Sequence, residues 1–340
     1  MKKIAIAALL AGIGLQVAHA ADDKVTICIF DPSGQHGYAY GYAKDYMVQA
    51  PRFGVIKPID LKVYTNEEAV VTDFKAGRCD AAIMSSLRAR EFNSYTGSLD
   101  AVGGLQNIKD LNMALQVLSS KSLAPKMVQG DYEILGIIPI GAAYMMVDDR
   151  RINTFSKGAG KKVAILNLEK SANKLAQKIG AIPVRVDLNT VADQFNNHKI
   201  DVLAAPAVAF RPFELAKGMT GPDGSVKGGV VRFPLAQITA SFVVRKSKLP
   251  SPDVSQKIRE YIFSQLGTAY KFIDNAEKDI DDKYWINMSP ADQQNTQTLM
   301  RTTRVEMIKD GIYDKDMMHL LKKIRCKTNP NNPECNSNDE

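Results

Sequence analysis

Catalysis needs a nucleophile beside a base, a carboxylate pair or a metal set at recognisable spacing, and this sequence offers none of these arrangements. There is no Gly-x-Ser-x-Gly elbow, no His-Glu-x-x-His and no glycine-rich dinucleotide fingerprint. The run Ser156-Lys157-Gly158-Ala159-Gly160-Lys161-Lys162 invites comparison with a phosphate loop. It lacks the four-residue gap between glycines and the Ser or Thr after Lys, and it precedes a strand where a phosphate loop follows one. Past the first twenty residues only His36, His198 and His319 accompany the cysteines, without ligand spacing. The expectation is therefore no catalytic residue, no metal and no cofactor.

Binding chemistry is better represented. Polar side chains gather just past the ends of expected strands: Asp31, Ser33 and Gln35 after 25–30; Ser85, Ser86 and Arg88 after 79–84; Asn167 and Glu169 after 163–166; Pro206 and Arg211 after 200–204. In parallel α/β units, ligands collect at the carboxyl ends of strands, where loop amides and helix N-termini point outward. Small hydroxyls and amides with two arginines suit a polar or anionic organic ligand. Tyr144, in an apolar segment, either lines the same cleft or is buried. Plainer roles stand beside these: Ser33 and Gln35 as turn residues, Ser85 and Ser86 as helix caps, Arg88 and Arg211 as solvated or salt-bridged surface charges. Tyr38, Tyr42 and Tyr46 recur four apart, a spacing that suits packing on one helix face.

The elements that must position these residues are plainest over 160–206. An apolar β-rich run at 163–166 leads to a helical stretch with Leu175 and Ile179 four apart, then a stop at Gly180. A second β-rich run at 183–186, a helix with Val191 and Phe195 on one face and a third run at 200–204 complete β-α-β-α-β, which predicts a parallel sheet with helical crossovers. Residues 25–100 repeat the pattern. Laying VVTDFKAGRCDAAI over the second unit sets Phe74 on Phe195 and Asp80 on Asp201, so two similar α/β lobes are expected. Apolar runs at 134–140 and 142–147 suggest a strand crossing between lobes, and 241–245 a strand leading back. From 253 to 324 the pattern is helical, ending in a basic cluster, Lys322 to Lys327, that reads as helix capping and solvation.

The second unit resembles the second domain of periplasmic solute-binding proteins of the TRAP-transporter type. In that family a strand opened by Gly-Lys-Lys leads to a Gly-Ala-x-Pro turn, and an Asp-bearing strand ends at a Pro. The matching positions are Gly160, Lys161, Lys162, Gly180, Ala181, Pro183, Asp201 and Pro206. The resemblance implies an α/β, two-lobed periplasmic-binding-protein fold with parallel-rich sheets and C-terminal helices bracing both lobes, Trp285 fitting such a brace. It also implies a ligand carboxylate held by an Arg two residues past the second Lys. This chain has Ala164 there, so either Arg211, Arg88 or Arg185 acts from another wall, or the ligand lacks a carboxylate. The chain also resembles proteins catalogued as components of an RND-type drug-efflux pump, which implies aminoglycoside export. Neither spanning helices nor coiled-coil heptads nor barrel alternation support a pump.

The opening MKKIAIAALLAGIGLQVAHA has the layout of a secretory signal with cleavage after Ala20, which predicts a soluble periplasmic protein. The remaining roughly 320 residues exceed what one core usually serves. Expected divisions are a signal peptide at 1–20, lobe I at 21–145, lobe II at 146–240, a return strand and bracing helices at 241–325, and a disulfide-closed polar tail at 326–340. The formal charge of +7 is spread along the chain without interleaved aromatics, which argues against nucleic acid as a partner. Four cysteines in an exported chain allow three pairings. First and third strands are neighbours in the common order of such folds, which favours Cys28 with Cys79 and leaves Cys326 with Cys335 closing a short polar loop; metal binding is the rival reading. The expected function is capture of a small molecule between lobes for an integral-membrane transporter, with an accessory role in efflux as the alternative.

Overall fold

The computed structural model describes residues 24–340, so the expected signal peptide lies outside the described residues. Among the described residues, ten strands form one mixed sheet: β1 (Val25–Phe30), β2 (Ile59–Tyr64), β3 (Ala81–Ser85), β4 (Val128–Gln129), β5 (Tyr132–Val147), β6 (Lys162–Leu166), β7 (Ile182–Val186), β8 (Val202–Pro206), β9 (Gly229–Arg245) and β10 (Trp285–Ile286). The order is β2-β1-β3-β9-β5-β8-β6-β7, with β4 on β5 and β10 on β9. Parallel triples, β2-β1-β3 and β7-β6-β8, stand at the two ends, and the long antiparallel strands β5 and β9 join them. This is the two-lobed α/β arrangement expected from the sequence.

The helices are α1 (Tyr38–Gln49), α2 (Glu67–Lys75), α3 (Ser86–Ala89), α4 (Ile108–Ser119), α5 (Lys170–Lys178), α6 (Val191–Asn196), α7 (Pro252–Ser264), α8 (Leu266–Lys278), α9 (Pro290–Lys309) and α10 (Lys315–Thr328). The repeat suspected from Phe74/Phe195 and Asp80/Asp201 extends to the backbone. Both phenylalanines are fully buried at the ends of α2 and α6. Each helix then closes through a left-handed residue, Gly77 at φ 76° and His198 at φ 53°. Each aspartate accepts from a backbone amide of the neighbouring strand's start, Asp80 from Thr26 at 2.9 Å and Asp201 from Lys162 at 2.7 Å. Glycine adopts the left-handed turn freely, whereas histidine does so at a cost of about 1 kcal/mol.

β5 absorbs both apolar runs around Pro139 and Gly141. Register against β9 slips at Ile134/Gly136, Pro139/Gly141, Ala143/Tyr144 and Tyr144/Met146, and Gly141 sits at φ +120°, open to glycine alone. Such bulges bend and twist a strand, here midway between the triples. Each triple is covered on both faces. In the first, Cys28, Met84 and Val243 meet Phe74, Leu111 and Leu321, while Ile29, Ile83 and Phe242 meet Tyr42, Tyr46 and Ile258. The tyrosine stripe is thus packing, with Tyr42 and Tyr46 buried. In the second, Tyr144, Ala164, Phe195 and Val230 form one cluster and Met145, Val202, Ile286 and Met300 the other. A fully buried side chain of this kind contributes about 1.5–3 kcal/mol.

Both disulfides form as favoured, Cys28–Cys79 with Cα atoms 5.8 Å apart and Cys326–Cys335 at 5.6 Å, which disposes of the metal reading for the cysteines. The basic cluster is corrected at two positions. Lys322 and Arg325 are buried: Lys322 donates to the Ser337 carbonyl, and Arg325 pairs with Glu334 and Glu340 of the tail. A helix end facing a folded-back tail has no solvent to offer those charges, so the tail supplies carboxylates.

Candidate functional site

The sequence-predicted residues do not converge on one point. Ser33 and Gln35 are exposed in the loop after β1. The loop is shaped by Asp31, whose carboxylate accepts from the Ser33 amide at 3.0 Å and the Tyr40 amide at 3.1 Å, and a Cβ at Gly37 would collide with that carboxylate at 1.7 Å. Ser85 caps α3, its hydroxyl accepting from the Arg88 amide at 3.3 Å. Arg88 lies with its Nε 3.6 Å from Oε2 of the buried Glu67 and is committed to that partner. Arg211 sits 3.6 Å from Asp279 in the open, a pairing worth little. Tyr144 donates to Glu277 at 2.8 Å and meets Trp285 edge-on. Burial and then the Glu277 charge push its phenol up, so it holds its proton.

Asn167 does reach a cavity, of about 390 Å³. One wall is the carboxyl end of β6, α5 and β7, contributing Asn167, Glu169, Lys170, Lys174 and Arg185; the other is the last turn of α9 and the corner after it, with Met307, Asp310 and Ile312. Those two apolar residues pack in the cluster of the first triple, so the cavity lies between the two halves of the fold. Asn167 is oriented by donating to Asp187 at 2.7 Å. Glu169 caps α5, its Oε1 accepting from the Ser171 amide at 3.0 Å. Arg185 is exposed and makes no ion pair or hydrogen bond with a described residue.

A buried polar cluster lies at the crossing of the halves and feels the charge of Glu169. Ser86 has its Oγ 2.7 Å from the hydroxyls of both Ser241 and Thr239. Thr239 donates its amide to Asp100 at 2.9 Å and its hydroxyl at 2.6 Å. The three hydroxyl residues are wholly buried, while Asp100 keeps partial contact with solvent. Its burial pushes the carboxyl up to about 7, against the pull of the Thr239 bonds and Arg90, and Glu169 pushes the same way as burial. Arg90 donates to the Gly97 carbonyl at 2.8 Å and lies 5.4 Å above the Tyr313 ring. Tyr313, pushed up to about 12 by burial and then Glu169, accepts from the Val102 amide at 3.3 Å.

Arg90, Asp100, Thr239 and Gln237 were not among the sequence candidates. One signal for part of this set exists: Gln237, Thr239 and Ser241 alternate within an otherwise apolar run, and a period of two places them on one strand face. Asp100 and Arg90, in loops, have no such periodicity. Chemically, the cavity offers the carboxylates of Glu169 and Asp310, the amides of Asn167, Asn173 and Gln177, and the cations Lys170, Lys174 and Arg185. Nothing in it resembles a nucleophile paired with a base.

Comparison with known proteins identifies the chain's relatives. The family model described as "Solute-binding protein AdeT 1/2" matches residues 13–57 and 54–340. The probable solute-binding protein AdeT1 of Acinetobacter baumannii is 46% identical over 312 residues, covering 92% of this chain and 100% of the relative. Among solved structures, a TRAP periplasmic solute-binding protein from Desulfovibrio salexigens with bound orotic acid superposes at a TM-score of 0.72, 11% identity, 90% of this chain and 99% of that one. Another, from Ralstonia eutropha with bound (S)-2-acetolactate, gives 0.71 at 14% identity with the same coverage. The fold is thus that of the two-domain periplasmic binding proteins, and the chain belongs to the AdeT 1/2 family of solute-binding proteins.

Proposed function

We propose that the protein is a periplasmic solute-binding protein that captures a small polar or anionic organic molecule in the cavity between its lobes and delivers it to an integral-membrane transporter. Arg185 is the observation that carries the ligand class. Ala164, at the position where TRAP-type proteins place a carboxylate-binding Arg, is packed in an apolar cluster. Of the three arginines able to replace it, Arg88 is committed to the buried Glu67 and Arg211 lies outside the cavity lining, whereas Arg185 lines the cavity without a protein partner. A guanidinium can hold a carboxylate through two parallel bonds. The solved neighbours that hold orotic acid and acetolactate, both acids, support the same class.

Capture is a binding role rather than an enzymatic one. A ligand touching both walls favours the closed arrangement over the open one, and the bulged middle of β5 is where the halves can bend. The relatives are described as probable solute-binding proteins, which favours capture over the efflux alternative. No helix among the described residues is long and apolar enough to cross a membrane, so translocation falls to a partner.

Thermal unfolding in the presence of a panel of small organic acids, amino acids included, tests this reading. At least one acid at a hundred times its dissociation constant should add about 2.7 kcal/mol. Arg185→Ala should weaken that acid at least tenfold, and Arg211→Ala should leave it unchanged. Failure of every acid to stabilise, or unaltered affinity in Arg185→Ala, would remove the site.

A further inference from the structure

We propose that Lys174, Lys178, Glu306 and Asp310 form a charged strap across one mouth of the cavity, which keeps the two halves of the fold closed on each other before a solute arrives and which salt loosens. The strap goes beyond solute capture and shares only its cavity, so the two stand or fall separately.

Spacing on two helices carries it. Lys174 and Lys178 lie one turn apart on α5, as Glu306 and Asp310 do at the end of α9, and residues four apart share a helix face. Lys174 meets Asp310 at 2.8 Å and Glu306 at 3.2 Å, and Lys178 meets Glu306 at 2.6 Å. The later lysine takes the earlier acid. Two turns of α5 therefore run antiparallel along two turns of α9, and each of the four charges has an opposite partner.

The two helices belong to different halves where they meet. α5 is the crossover between β6 and β7 of the second triple. α9 crosses between the halves: Met300 packs in a cluster of the second, whereas Met307 and Ile308 pack with Phe74 and Leu321 of the first. Glu306 and Asp310 flank those last two residues, so the strap is fixed to the part of α9 rooted in the first half. Lys174 and Asp310 both line the cavity, and their bond reaches from one wall to the other. Parting the walls at this rim parts the pair.

Burial decides how such a strap behaves. A single pair in the open contributes little, whereas a network of partly shielded charges acts together. Lys174, Lys178 and Glu306 keep between 25% and 31% of their side-chain exposure, shielded enough to act and wet enough to be screened. The Debye length falls from about 10 Å at 0.1 M salt to about 3 Å at 1 M. An apolar seam in the same place would not weaken as salt rises. The consequence is an empty protein biased toward closure, with solute entry waiting on the strap.

Double electron-electron resonance on the ligand-free protein reads the gap between the halves. Nitroxides at His36→Cys and Asn189→Cys lie past the carboxyl ends of β1 and β7, and the native cysteines are held in disulfides and take no label. In about 20 mM salt we expect the protein with its strap intact to sit mainly at the short distance. Glu306→Gln with Asp310→Asn should raise the long-distance fraction at least threefold. Lys174→Gln with Lys178→Gln should do the same from the other helix, and all four changes together should add nothing further, as coupled charges require. At about 0.5 M salt the intact protein should reach the distribution of the variants, which themselves move little. Asp274→Asn, which breaks the exposed pair with Lys278 on α8, should leave the gap as it is. An unchanged gap in either double variant, or a gap that ignores salt, overturns the strap. An equal shift in Asp274→Asn overturns it too, because the effect would then belong to net charge. None of these results bears on solute capture, which the acid panel tests.

Discussion

Replacing Arg304 with alanine is expected to cost about 3–5 kcal/mol of stability, the loss typical of stripping one partner from a buried ion pair. Arg304, on α9, is 2% exposed. Its guanidinium donates to Glu334 at 2.8 Å, to Glu340 at 2.6 Å and to the Val102 carbonyl at 3.1 Å. Arg325, on α10, holds Glu334 from the other side at 2.6 Å and donates to the Gly104 carbonyl at 2.9 Å. Two cations and two anions balance in a space with no solvent, and deleting one cation leaves an uncompensated negative charge there. The same substitution releases the carbonyl of Val102, two residues past Asp100, so the loop that begins at Asp100 should loosen with the tail. Gly103 shows how close the contact is, since a Cβ there would lie 2.8 Å from Arg304 Nη1. Denaturant unfolding checks the magnitude, and Arg304→Ala combined with Glu334→Gln should cost less than the sum of the two. A loss below about 1 kcal/mol would mean that the network behaves as an exposed pair.

The second large effect depends on pH. The Asp100 carboxyl titrates near 7 in the folded protein and near 3.9 when unfolded. The folded state therefore keeps a proton that the unfolded chain has already lost. Stability from this group is complete below pH 4 and is lost as pH rises through 7, by at most about 4 kcal/mol. Asp100→Asn removes that dependence. The amide can still accept from the Thr239 amide and donate to the Thr239 hydroxyl, because the hydroxyl chain through Ser86 and Ser241 can reverse its direction. Asp100→Asn should therefore match wild type within about 1 kcal/mol at pH 4 and exceed it by a few kcal/mol at pH 8. Unfolding curves of the two proteins at the two pH values provide the comparison. Parallel pH profiles would place Asp100 in ordinary aqueous surroundings.

Much of the fold was legible because its signals are periodic or local. The unit at 160–206 announced itself through helix spacing and glycine stops, and its echo at Phe74 and Asp80 proved to share hydrogen bonds and a left-handed corner with Phe195 and Asp201. The long strands were harder. Pro139 and Gly141 break the apolar pattern of β5, yet a bulge accommodates both within one strand. The site was the least legible part, since an arginine's partner is a tertiary fact. Arg88, Arg211 and Arg185 look alike in sequence; only the fold commits the first to Glu67, leaves the second on the open surface and sets the third on the cavity wall. Asp100 meets Thr239 across 139 residues, a distance over which no local pattern operates. The basic run at the C-terminus failed for the same reason: Arg325 finds its carboxylates in the folded-back tail rather than in water.

Native mass spectrometry of the protein taken from the periplasm, followed by denaturation and identification of what is released, tests the account most directly. It predicts one equivalent of a small organic acid, lost from Arg185→Ala. An empty wild-type protein that no acid stabilises would contradict it.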